Sequence, residues 1–329
     1  MARKTIAASA AVGALVLIGA MTPVAASASS DSCDAPAVVA IDNLDAVSGE
    51  CSYPDGEVQL DDGRRFPIPD PDYSVTLSAL TVEGAPEQPE VTVARAANGD
   101  LAVEIGDEVK GSAKAMDYLE RVAGHAPASE SNMVLAAAST KCSNTNYKTY
   151  PFTWNGSYGW KYNNANQASG AWDGIFKEAA LKWNGVVSTC GTTRSNNSTS
   201  AYQGATTGTP QVNANITCGS YDGQSTIGWG KMSTANYTLA ATCTWRVGTV
   251  PFDSDQKYNT AYPWNTASAC SGSKFDLRGV AAHEFGHSYG LDHATQASQQ
   301  TMKPESPYCD TEQRALGLGD ATGIKSLYG

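Results

Sequence analysis

Alternation of apolar and polar positions marks part of the first half of the chain as β-structure. In "PEVTVARAANGDLAVEIGDEV", Val91 and Val93 and then Leu101, Val103 and Ile105 fall on alternate positions, with Asn98-Gly99 between them as a favoured hairpin turn. The period then changes. In "AKAMDYLERVAGHAP", Met116, Leu119 and Val122 recur at helical spacing, and Gly124 and Pro127 end the helix. "ASESNMVLAAASTKC" follows, small and weakly patterned, and reads as an exposed linker and processing zone.

The second half opens in aromatic, Gly- and Asn-rich sequence and then turns helical. In "GAWDGIFKEAALKWNGV", Trp172, Phe176 and Ala180 share one face and Ile175, Ala179 and Trp183 its neighbour, a broad stripe that predicts a core-packing helix. The Ser-, Thr-, Asn- and Gly-rich segments from 191 to 226 read as surface loops. Two strand-like stretches accompany them, "TIGWGKM" and "TLAATCTWRVGTVPF", the second with Leu239, Ala241, Cys243 and Trp245 at alternate positions. The second half is therefore mixed α and β, with helices at both ends of a strand region.

One helix carries chemistry. "SKFDLRGVAAHEFGHSYGLDH" begins with Ser273-x-x-Asp276, where either residue can accept from the first-turn amides, and continues through His283 and His287. Four residues is about one turn, so both imidazoles project from one face. Gly290 can take positive φ, leave the helix sharply and bring His293 round as a third ligand. Three neutral imidazoles suit zinc and leave a fourth position open, which points to catalysis rather than scaffolding. Glu284 points away from the ligand direction, placed to serve as general base and then proton shuttle for a zinc-activated water. A helix that carries histidines by accident would not also supply the glycine and third histidine at these offsets. A purely structural zinc site would close with a fourth protein ligand, and the motif offers none.

Composition adds compartment and partners. Arg3 and Lys4, an apolar run from Ile6 to Met21 and the small-residue site Ala26-Ser27-Ala28 read as an export signal, with the mature chain beginning near Ser29. No later stretch is long and apolar enough to span a bilayer, so a secreted protein without a membrane partner is expected. The 8 cysteines, none in a C-x-x-C pair, read as disulfide staples rather than a thiolate zinc cluster. A Cys33 to Cys51 pair is expected; the pairing of the other six stays open. Residues 29–140 carry 21 Asp and Glu against 6 Lys and Arg, a net −15, whereas residues 141–329 carry 12 against 14, a net +2. That asymmetry separates two units, the first either a well-solvated domain or a pro-segment docked on the second. The net charge of −11 without a basic stripe argues against nucleic acid. His125, alone by a helix end, reads as a surface or capping residue.

The string His283-Glu284-x-x-His287-x-x-Gly290-x-x-His293 resembles the metzincin metallopeptidases, and their matrixin-like branch in particular. "TMKP" places Met302 where that family has its Met-turn, with Pro304 in the matrixin form of it. "LGDATGIKSLYG" resembles the closing helix, and "FDSDQKYN" the strand end before the active-site helix. The resemblance covers most of 252–329, holds only in element order over 141–251, and is absent before 141. It implies a peptide lying extended along an edge strand above the zinc, with Leu239 to Trp245 as the candidate strand and Pro304 to Tyr308 near the pocket for the residue after the scissile bond. Departures are plain. No histidines remain for the structural zinc usual in matrixins, and neither "DSCDAP" nor "TKCSNTN" matches the cysteine switch, so a covering acidic unit is the better account of latency. Asp222, Asp253 and Asp255 are candidates for calcium, although loop aspartates more commonly cap or face solvent.

The expectation is thus an α+β protein: signal peptide 1–28, a small acidic β-rich pro-domain and linker 29–140, and a metzincin-like catalytic domain 141–329 built from a twisted mixed sheet, a packing helix, an active-site helix and a C-terminal helix. It would act as a monomeric secreted endopeptidase with one catalytic zinc, taking protein or peptide substrates and its own pro-domain as partners. Two alternatives stay open: a zinc hydrolase of a non-peptide amide, and a non-catalytic zinc-stabilised binding protein.

Overall fold

The structure, a computed structural model, describes residues 37–47, 53, 56–86, 88–123 and 141–329. The export signal, the Cys33 to Cys51 pair, His125 and the linker after the first helix lie outside the described residues. No described helix is long and apolar enough to cross a membrane.

One mixed sheet runs through both halves of the sequence. Its strands are β1 (Tyr73–Val82), β2 (Val91–Arg95), β3 (Leu101–Ile105), β4 (Glu108–Gly111), β5 (Tyr158–Tyr162), β6 (Ser200–Ala205), β7 (Thr226–Gly230), β8 (Thr238–Val247), β9 (Val250–Asn259) and the short β10 (Glu305–Ser306). They lie in the order β6-β5-β7-β9-β8-β1-β2-β3-β4, with β10 beside the end of β1. The neighbours from β6 to β9 pair in parallel, and those from β9 through β4 are antiparallel.

The predicted hairpin is β2 and β3, paired from Val91↔Ile105 to Arg95↔Leu101. The long run ending at Phe252 is two strands, β8 and β9, turned at Gly248 with φ +55°. The stretch from 191 to 226, expected as loop, contains β6, an edge strand paired with β5, and Thr192–Ser195, which forms a small hairpin with the preceding Val186–Thr189. Its Ser- and Thr-rich composition hides strands that face solvent on one side.

Two cores flank the sheet, and alternation on the strands feeds both. On one face, α2 (Asp173–Leu181) and α3 (Leu277–Ser288) pack Phe176, Ala180, Trp183, Val280, Ala281 and Phe285 against Tyr158, Trp160, Ile227, Leu239, Tyr258 and Leu80. On the other, Val75, Leu77 and Ala79 of β1 lie with Ala241, Cys243 and Trp245 of β8, together with Val39, Val58 and Phe66 from a small three-stranded sheet. The apolar positions of the two halves thus fill one core, and the described residues form one compact unit. Trp172 is not on the α2 stripe: it precedes the helix and is 52% exposed. α1 (Ala113–Ala123) covers the outer strands with Ala115, Tyr118 and Leu119, while Met116 faces outward. Disulfides Cys142–Cys190, Cys218–Cys243 and Cys270–Cys309 staple the second half, the middle one clamping a loop onto the centre of β8.

Glu104 of β3 is buried, and loss of solvation with the charge of Asp292 raises its pKa to about 7. Its unfolded value is near 4.5, so the folded chain holds this proton more tightly, and the stability tied to it is lost as pH rises through about 7. Glu104→Gln should therefore gain on the parent, on the order of 1 kcal/mol after allowance for screening, at pH 8 but not at pH 5. Denaturant midpoints of both proteins at the two pH values check this; a pH-independent difference removes it.

Candidate metal centre and catalytic site

α3 is buried except at Arg278, and its sequence shows why it forms where it does. Asp276, rather than Ser273, is the cap: its Oδ1 accepts from the Gly279 N–H at 2.9 Å, and Arg314 grips the same carboxylate through Nε at 2.8 Å. Leu277, Val280, Ala281, Ala282 and Phe285 make the helix apolar on every side. It ends as expected at Gly290, φ +99°, where a Cβ would stand 2.8 Å from the Phe152 carbonyl. Leu291-Asp292 then pairs with Lys148–Thr149, and the return delivers His293 to the helix.

The three imidazoles converge. Nε2 of His287 is 2.9 Å from Nε2 of His283, and Nε2 of His293 is 3.2 Å from each of the other two. Nδ1 of His283 lies 2.8 Å from the Thr301 carbonyl and Nδ1 of His287 lies 2.9 Å from the Leu291 carbonyl, so each Nδ1 must carry the proton. Their Nε2 atoms are then lone pairs facing one another in a buried space. Burial also holds His283 and His287 well below the ordinary imidazole pKa and His293 at about 4, so no imidazolium relieves the arrangement. Three converging imidazole nitrogens, two of them fixed as acceptors, fit a soft-to-borderline divalent cation, and the all-nitrogen set suits zinc.

Beneath this triad lies Met302, buried in the turn predicted for it. Asp320 of α4 (Leu318–Tyr328) fixes that turn by accepting from the amides of Thr301 at 2.7 Å and Met302 at 3.2 Å. Gly286, inside the histidine motif, has no room for a side chain: a Cβ would sit 2.2 Å from the Met302 sulfur and 2.9 Å from the Trp183 ring.

Glu284 is fully buried beside the triad. Its Oε2 accepts from the Thr242 hydroxyl at 2.6 Å, and Oε1 has no hydrogen-bond partner. Burial pushes its pKa up to about 8, with the Thr242 hydroxyl and the Leu80 backbone N–H partly offsetting this. A carboxyl poised near neutrality with one oxygen uncommitted is suited to take up and return a proton.

Three contributors were not foreseen from the sequence. Thr242 orients Glu284. Leu80 reaches the site from β1. Glu90, at the start of β2, stands behind the triad, its Oε2 accepting from Tyr150 Oη at 2.6 Å and its Oε1 lying 3.6 Å from Nδ1 of His293. Burial and the charge of Asp292 raise the Glu90 pKa well above the usual carboxylate range. Glu90, Asp292 and His293 also line a cavity of about 430 Å³ with Lys148, Pro304 and Glu305. "APEQPEVTV" carries no mark of this role.

The substrate-side residues are placed differently from the expectation. Leu239 to Trp245 is an interior strand, paired to β9 on one side and to β1 on the other. Leu239 lies in the core beside α3 and Trp245 in the opposite core. Pro304 does border the site: its carbonyl accepts from the Thr81 N–H at 3.0 Å. Tyr308 is exposed and packs on Phe275 with ring centres 4.6 Å apart. Asp253 and Asp255 anchor loops, accepting from the amides of Gly223 at 2.9 Å and Thr226 at 2.6 Å, and with Asp222 they form no compact metal-binding group among the described residues.

Comparison with known proteins reaches the same end of the chain. Residues 207–329 match the matrixin family, peptidase M10. Human matrix metalloproteinase-25 is 34% identical over 84 residues, covering 25% of this chain and 15% of that protein. Human neutrophil collagenase is 35% identical over 75 residues, 23% of this chain and 15% of that protein, and dog matrix metalloproteinase-9 is 38% identical over 85 residues, 26% and 10% respectively. The chain thus spans about 15% or less of the length of these relatives. The likeness supports a matrixin-type zinc metallopeptidase.

Proposed function

We propose that this chain is a secreted zinc-dependent endopeptidase, made as a precursor in which residues 29–140 cover a catalytic unit of 141–329. The observation that carries this reading is the trio of imidazole Nε2 atoms within 3.2 Å of one another, with an uncommitted carboxylate oxygen on Glu284 beside them. His283, His287 and His293 would hold one ion. Bound there, zinc would polarise the scissile carbonyl and acidify water. Thr242 holds Glu284 through Oε2, leaving Oε1 to accept the proton of the attacking water and deliver it to the departing amine nitrogen. The carbonyls of Thr301 and Leu291 lock His283 and His287 in the tautomer that presents Nε2. The disulfides fit an oxidising compartment.

The test uses the zinc-loaded chain after a second protease has degraded its N-terminal half and been quenched. Denatured casein should be cut, chelation should stop the cutting, and added zinc should restore it. A processed, zinc-replete chain that leaves casein intact would replace this reading with a non-peptide amide hydrolase or a zinc-stabilised binding protein.

A further inference from the structure

The metal centre is closed by the chain's own strand. β1 lies along β8 from Tyr73↔Val247 to Thr81↔Thr238, so the β8 backbone that would receive an extended peptide already has a partner. At the far end, β10 flanks β1 in parallel through Glu305↔Thr81 and Ser306↔Val82, and the Pro304 carbonyl takes both the N–H of Thr81 at 3.0 Å and its hydroxyl at 3.3 Å. Between β2, which pairs with β1 only as far as Leu77, and β10, residues Ser78 to Leu80 pass the metal centre. There the Leu80 side chain is wholly buried in the core that holds Phe285 and Ala281 of the histidine-bearing helix.

We propose that β1 is a resident peptide in the substrate groove, and that the chain is latent through this strand addition rather than through a ligand to the metal. The inference rests on the peptidase reading above and names what regulates that site. Glu284 and His283 are 0% exposed with β1 in place, and the side of β8 next to them is already paired. The occupant has the form of a bound substrate: extended, paired by backbone to β8, with small residues Ser78 and Ala79 leading to the Leu80 side chain buried on the α3 side. One face of the seam is also made of hydroxyls. Thr76 meets Thr92 at 3.0 Å and Arg246 at 2.7 Å, and Thr242 and Thr244 line the β8 side. Water can replace such bonds at small net cost, so this face resists separation less than an apolar one would. Cutting the chain after α1 would not by itself free the groove, because β1 is held by its own pairing. Activation requires β1 to leave or be destroyed.

The test compares zinc-loaded full chains: the parent, Leu80→Asp, which sets a charge in the buried pocket, and Thr81→Pro, which deletes both bonds to the Pro304 carbonyl. Two readouts are taken, hydrolysis of a quenched fluorescent peptide and amide exchange in β8 and α2. The parent should be slow and β8 protected. Both variants should hydrolyse at least ten-fold faster and lose protection in β8 but not in α2, and a synthetic YSVTLSALTV peptide should reverse both changes. If the parent is as fast as the variants, or if α2 loses protection together with β8 in both, β1 is a permanent structural strand and the proposal is overturned. If β8 opens and recloses on the added peptide yet no form hydrolyses anything, the groove and its occupant stand and the peptidase reading fails.

Discussion

Glu284→Gln, in protein freed of its N-terminal half, should lower peptide hydrolysis by about 10²–10⁴-fold while zinc content stays at the parent value. The amide keeps an oxygen for the Thr242 hydroxyl, 2.6 Å from Oε2 in the parent, so the side chain is held but can no longer take a proton. The ligand set is entirely histidine, so metal occupancy should not change. Removing the carboxylate should also relieve strain. Its pKa is raised to about 8 by burial, so the folded form binds this proton more tightly than the unfolded chain, and stability is lost as pH rises through about 8. In the intact chain, where Glu284 is buried, the variant should unfold at or above the parent's midpoint in alkaline, zinc-free buffer. Equal zinc with more than a tenth of the parent rate would place the base elsewhere.

His287→Ala should remove activity and metal together. Its Nε2 lies 2.9 Å from that of His283 and 3.2 Å from that of His293, and without it two imidazoles remain to hold an ion that wants three. A ligand that binds only the folded chain stabilises it by about 4 kcal/mol at a thousand-fold excess over its dissociation constant. Saturating zinc should therefore raise the parent's melting temperature by several degrees and leave that of the variant where it was. A variant that still gained thermal stability from zinc would show that the ion is held somewhere other than this triad.

The site was legible where the chemistry is local. Asp276, His283, Glu284, His287, Gly290 and His293 lie within eighteen residues, and helical geometry alone puts the first two histidines on one face. The β2–β3 hairpin was legible for the same reason: its partners are separated by one turn. What escaped is what the distant chain supplies. Whether β8 is an edge depends on β1, some 160 residues earlier, and backbone pairing at that range leaves no periodic signal. Glu90 looks like any loop acid until the fold sets it behind His293. Met116 and Trp172 kept a helical spacing that the helices do not use, because core placement depends on what a helix meets and where it starts.

The seam between β1 and β8 also sets an order of events in folding. A ribosome delivers β1 to β4 first, and these strands are joined by short connections that close quickly. β8 arrives only after a long interval, and pairing across that interval is the slow step of the topology. When it emerges, an antiparallel template is already waiting, with Val75, Leu77 and Ala79 ready to receive Ala241, Cys243 and Trp245. The segment proposed to fill the groove would thereby serve earlier as the form on which β8 is cast. A chain that has once shed that segment should refold far more slowly than one that still carries it.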